Sequence, residues 1–181
     1  MALYNLDPAH TGAGFSVRHM MITTVRGEFA EVAGTLNFDP ANLAASSVEA
    51  TLQTASISTG VADRDGHLKS PDFFDVENFP VITFKSTSVN VTGDNTANVV
   101  GDLTIRDVTK SVTLNAEFLG QQKNPFTGAT TTGFSAEAKI NREDFGLTWN
   151  QALESGGVLV GKEIKISLEA EGVLAEVTET A

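Results

Sequence analysis

The sequence predicts an all-β fold, a closed antiparallel barrel or a sandwich of about eight to ten strands with one short helix. Three observations carry this reading. Apolar and polar residues alternate with period two along most of the chain, while helical spacing is scarce. Turn chemistry, Asp39-Pro40 and the polar Asn-Pro-Gly stretch from Gln121 to Gly128, punctuates the alternating runs. Between two of those runs, Ser56 to Phe84 forms a connection much longer than the roughly two to five residues a hairpin needs.

In chain order, Phe15, Val17 and His19 share one face of a first long strand, with Ser16 and Arg18 on the other. Met20-Met21-Ile22 bends the chain, and Val25 to Phe29 continues it. Val32, Gly34, Leu36 and Phe38 alternate with Ala33, Thr35 and Asn37, and Val48, Ala50, Leu52 and Thr54 make the next strand face. After the long insert come Val81 to Val91, Ala97 to Ile105 and Val112 to Leu119, with Asp107 and Lys110 in the turn between the last two. Phe134, Ala136, Ala138 and Ile140 form one more inward face, and Ile164, Ile166, Leu168 and Ala170 the last. Inside the insert, Val61 and Leu68 lie two helical turns apart and Pro71 stops the pattern, which predicts a short helix within Thr59 to Ser70. Strands of about ten residues span roughly 30 Å, so a closed sheet of this kind has a deep, apolar interior suited to a hydrophobic guest.

The 181 residues fit a single domain, residues 1–181, with no linker dividing them. Lys and Arg total 12 against 23 Asp and Glu, a net charge of −11 that repels a nucleic-acid backbone. The absence of cysteine excludes disulfides, thiolate metal sites and a cysteine nucleophile. No run of about 18 apolar residues is present, and Met1 to Phe15 lacks the basic and apolar regions of a secretion signal. The expectation is therefore not an integral membrane protein, and a cytoplasmic one, or periplasmic if a signal peptide has been removed.

Several strings in a fixed order then carry a family resemblance. They are Leu6-Asp7-Pro8-Ala9-His10, Phe15-Ser16-Val17-Arg18-His19, Gly27-Glu28-Phe29, Ser56-Ile57-Ser58-Thr59, the insert from Arg64 to Asp75, Phe79-Pro80 before Phe84, Gly101 to Arg106, and Asn141 to Gly146. Together they resemble the YceI family over nearly the whole chain. The resemblance implies a lipocalin-like extended antiparallel barrel of about eight strands that encloses a long isoprenoid or other lipid, with no catalytic activity and no required cofactor beyond the bound lipid. One departure is local: the family turn after the Leu-Thr-Ile-Arg string has Gly and Pro where this chain has Asp107 and Ser111. Asp tolerates a left-handed turn conformation, so the hairpin is expected to form.

On this reading the lipid-facing interior comprises Phe15, Val17, His19, Phe29, Leu36, Leu52, Leu68, Phe73, Phe74, Phe84, Leu103, Ile105, Phe145 and Trp149. His19, Arg64 and Arg106 are the candidates for a quinone or phosphate head group, and Met20-Met21 for an adaptable lip. Arg64 beside Asp65, and Arg142 near Asp144, read as structural ion pairs. His10, His19 and His67 match no compact metal-ligand spacing, and no catalytic motif is present. The function expected is non-catalytic storage or transport of a polyisoprenoid, an isoprenoid quinone or a polyprenyl phosphate. Two rivals stand beside it. One is an enzyme on a hydrophobic substrate with His19 or His67 as general base, the other an acidic stress-response module recruiting a protein partner. Edge strands and the insert also offer a surface on which a homodimer would pair.

Overall fold

The computed structural model describes residues 1–175. Its strands are β1 (Ala2–Leu6), β2 (Gly12–His19), β3 (Thr23–Phe29), β4 (Val32–Phe38), β5 (Ser47–Gln53), β6 (Ile57–Ser58), β7 (Val81–Val91), β8 (Thr96–Ile105), β9 (Val108–Lys123), β10 (Thr130–Asn141) and β11 (Glu163–Leu174), with one helix, α1 (Ala62–Lys69). All strands join one antiparallel sheet that closes where β1 pairs with β11. The result is a closed eight-strand barrel.

The strand count exceeds eight because three barrel strands are interrupted. β1 runs on as β2 after a bend at residues 7–11, β4 is preceded by β3 across residues 30–31, and β5 runs into β6 through a 3-10 turn at Thr54–Ser56. Pairing shows the continuity: Tyr4 faces Leu36 and Phe15 faces Gly27 along one long hairpin, while β11 pairs with β2 at Ile166–Phe15 and with β1 at Tyr4–Leu174. Pro8 has no N–H for a ladder, and Asp7 Oδ1 accepts from Ala9 N at 2.9 Å, so the strand breaks there.

β1 and the two-residue β6 are the elements that alternation did not mark out. β9 also extends well beyond Val112–Leu119 at both ends. In its turn the left-handed residue is Arg106, with φ 56°, and not Asp107; Lys110 lies within the strand. The helix is shorter than Thr59–Ser70 and ends ahead of Pro71, as Ser70 N closes it on His67 O.

Two packed groups lie toward the barrel's ends. At one, Tyr4, Phe38, Phe118 and Phe134 cluster, with Phe38 5.0 Å from both Phe118 and Phe134. At the other, the insert folds over the gap between β6 and β7. The buried Thr54 hydroxyl donates to Phe79 O at 2.8 Å, and Phe74 stacks edge-on against Phe29 at 5.4 Å. Thr59 donates from both its N–H and its hydroxyl to Asp65 Oδ1, which pins the helix's first turn to β6. Between the plugs, Gly27 and Gly101 are needed because the ring tips of Phe15 and Phe84 press against them; a Cβ at either would overlap the ring. Among the described residues, no helix is long and apolar enough to cross a membrane.

Candidate functional site

Between the two plugs the barrel holds a cavity of about 330 Å³. Its volume arises from side-chain size. Ala97, Ala116 and Ala136 stand side by side on β8, β9 and β10, each facing inward, so at that level three adjacent strands present only methyl groups. Larger residues above and below, Leu103 and Leu114 on one side and Phe118 and Phe134 on the other, frame the space. From Phe134 to Asn141, the end of β10, the wall runs about seven residues, roughly 23 Å at ~3.3 Å per residue.

The cavity wall includes Phe15, Val17, Phe29, Leu36, Leu52, Leu68, Phe73, Phe74, Phe84, Leu103 and Ile105. Three residues expected there stand elsewhere. His19 sits at the last position of β2, where the chain leaves the barrel wall; its backbone bridges Val160 and its side chain is half-buried away from the cavity. Phe145, 2% exposed, is packed into the core behind the wall. Trp149 lies outside Phe73, with ring centroids 5.6 Å apart, and packs edge-on to the His67 ring at 4.6 Å.

The remaining head-group candidates are occupied in holding the insert. Arg64 donates from Nε to Thr59 Oγ1 at 2.7 Å and from Nη2 to Thr59 O at 2.9 Å. Arg106 reaches Pro71 O and Phe73 O and lies over the Phe79 ring at 5.5 Å. Neither guanidinium is on the cavity wall. Nor is either Arg64 or Arg142 in the ion pair its neighbouring aspartate suggested: Thr59 and backbone carbonyls are their partners. His67 Nε2 lies 2.9 Å from Asp72 Oδ2, which fixes the histidine within the insert.

Arg142 is the polar residue that sequence reasoning left out of the interior. It begins a 3-10 turn, Arg142–Phe145, capped by Asn141 Oδ1 accepting from Glu143 N at 3.0 Å and ended by Gly146 at φ 79°. That turn folds the side chain inward, where it is 4% exposed. Nε donates to Gly161 O at 2.8 Å, Nη1 to Leu147 O at 2.7 Å and Nη2 to Val160 O at 3.3 Å. Asn150 holds the same loop by a reciprocal pair with Val160, at 2.7 and 2.9 Å. Burial lowers the Arg142 pKa from its ordinary value, with the charge of Glu143 acting in the opposite sense. Among the described residues Arg142 is the one charged side chain that is both buried and on the cavity wall.

The chain and its eight-strand barrel have counterparts among known proteins. A UPF0312 protein of Staphylococcus aureus strain MSSA476 is 39% identical over 176 residues, 97% of this chain and 100% of its own length. The crystal structure of Burkholderia cenocepacia BcnA superposes with a TM-score of 0.80 at 24% identity, covering 92% of this chain and 98% of that one. A polyisoprenoid binding domain from Saccharophagus degradans gives 0.71 at 13% identity, covering 97% of this chain and 100% of that one, a likeness of fold. The YceI-like domain profile matches residues 4–172, which take in every barrel strand from the middle of β1 to near the end of β11, and with it the whole of the chamber and its insert; the chain belongs to the YceI-like family.

Proposed function

We propose that the protein binds a long-chain polyisoprenoid inside the barrel and stores or carries it without chemical change. The observation that carries this is the chamber itself: some 330 Å³ walled by aliphatic and aromatic side chains, within the roughly 300–1,000 Å³ range of small-molecule sites. Fold likeness to the Saccharophagus polyisoprenoid binding domain and membership of the YceI-like family support the same ligand class. Each buried methylene of a guest contributes up to ~0.8 kcal/mol, so a few isoprene units supply micromolar affinity before ordering costs are subtracted. The two plugs are suited to keeping a chain from water during storage or transfer.

Trp149, the single tryptophan, packs on Phe73 of the wall and so reports on the chamber. Solvent-washed protein titrated with geranylgeraniol is expected to show a saturable one-to-one change in tryptophan fluorescence. Leu103→Glu, which places a carboxylate in the chamber, should abolish that change while circular dichroism retains the β-sheet signal. Retention of binding by the folded variant would place the guest elsewhere.

A further inference from the structure

Resting on that reading, we infer that the chamber opens between the β4–β5 and β7–β8 connections, and that this mouth selects a guest with an uncharged head group, such as a long-chain alcohol or quinone, over a phosphate or carboxylate. The aromatic group at that end, Tyr4, Phe38, Phe118 and Phe134, is drawn from β1, β4, β9 and β10. Across from it, β5, β7 and β8 bring Val48, Val89 and Ala97 to the wall, none of them large enough to fill the gap. Beyond them the wall continues through Ser47, Asn95 and Thr96, all exposed. Residues that border the cavity and also meet bulk water mark where the two join. Glu169, the remaining exposed residue of the wall, stands on the barrel's flank between Gly12 and Ser135 and not at a strand end. Inside, the wall exposes almost no polar surface, and the nitrogens of Arg142 are bonded to backbone carbonyls. A head group drawn inward would lose its water and gain no partner, at a cost far greater for a charge than for a hydroxyl or carbonyl. The head therefore stays at the mouth while the tail fills the chamber. There Ser47, Asn95 and Thr96 offer neutral hydroxyl and amide groups, and the charges beside them are acidic. Asp94 precedes Asn95, Glu117 is the cross-strand partner of Thr96, and Asp39 donates from its N–H to Ser46 Oγ at 3.4 Å. The cations of the neighbouring strands do not offset them: Lys85 Nζ is held by Glu49 at 3.2 Å, and Lys123 lies about six residues past Glu117 on β9, roughly 20 Å away. The mouth sits in a negative field, added to that of a chain with net charge −11, which disfavours an anionic head and leaves an uncharged one unaffected.

The test compares three ligands with one tail, geranylgeraniol, geranylgeranoic acid and geranylgeranyl phosphate. Each is titrated into solvent-washed wild-type protein and into two variants of equal net charge, Glu117→Lys at the mouth and Glu163→Lys toward the opposite end of the barrel. Both glutamates are exposed and off the cavity wall, so neither substitution disturbs the core. At low ionic strength the alcohol should bind the wild type about tenfold or more tightly than either anion, and the gap should narrow in ~1 M salt. Glu117→Lys should cut the gap to about threefold or less with geranylgeraniol affinity little changed, whereas Glu163→Lys should leave the gap within about twofold of wild type. Anions that bind the wild type as tightly as the alcohol would overturn the uncharged-head assignment. A gap that narrows equally in both variants, or in neither, would overturn the position of the mouth. Either result leaves the carrier reading intact, while binding of none of the three would sink that reading and the mouth together.

Discussion

The three alanines that make room for a guest offer the sharpest perturbation. Replacing Ala116 with Phe places a ring in the middle of the chamber, flanked on β8 and β10 by Ala97 and Ala136, where neither neighbour obstructs it. The ring displaces about six carbons of a bound chain, each worth ~0.8 kcal/mol, so affinity should fall by ~5 kcal/mol, roughly several thousandfold. Stability moves in the opposite direction. Unfilled apolar space costs ~24 cal/mol per Å³, so a ring occupying about 100 Å³ of the 330 Å³ cavity is expected to stabilise the empty barrel by up to ~2 kcal/mol. Fluorescence titration with geranylgeraniol reads the first effect and urea denaturation of solvent-washed protein the second. A folded Ala116→Phe protein that binds geranylgeraniol within about threefold of wild type would refute the placement of the guest between these alanines.

Two further predictions concern the frame around the chamber. In Gly101→Ala the added methyl overlaps the Phe84 ring and lies 2.7 Å from Lys85 O, a backbone atom that cannot rotate away. Overpacking of this kind costs ~1–3 kcal/mol, and an unchanged urea midpoint would contradict it. At the β1–β2 bend, the His10 pKa is raised above 6.5, first by its hydrogen bond to Asp7 and then by Glu171. Asp7 in turn lies below 3.8 through that same bond and the Ala9 N–H. The histidine's contribution to stability is fully present below about pH 6.5 and is lost as pH rises through its folded pKa. The aspartate's is present above about pH 3.8 and is lost as pH falls through its depressed value. Asp7→Asn should bring the histidine titration, followed by NMR, back toward 6.5, and no movement would show the pair to be absent in solution.

Much of the barrel was legible because a strand with one face on an apolar interior must alternate, and alternation survives even where the strand is bent. The same rule failed at His19, since face assignment by parity holds only while the strand stays in the wall, and β2 leaves it at the hairpin tip. The insert's helix was legible from Val61, Leu68 and Pro71. Phe73 and Phe74 were legible as interior residues, and they stand on the cavity wall. Arg142 was hidden for a different reason. Set among Glu143 and Asp144 it resembles a solvated ion-pair residue, and only the 3-10 turn and the carbonyls of residues 147, 160 and 161, brought back by a long loop, draw it inward. The alanine belt was visible residue by residue, but that Ala97, Ala116 and Ala136 stand at one level depends on strand register, including the irregularity at Gly133–Phe134 that one sequence does not reveal.

Whether this barrel holds a lipid chain is read by native mass spectrometry of the purified protein, followed by identification of what organic solvent extracts from it. A lipid-filled barrel gives a stoichiometric adduct that the extract identifies as a long-chain isoprenoid. A mass equal to the polypeptide alone, with no uptake when polyprenyl phosphates or isoprenoid quinones are supplied, would contradict it.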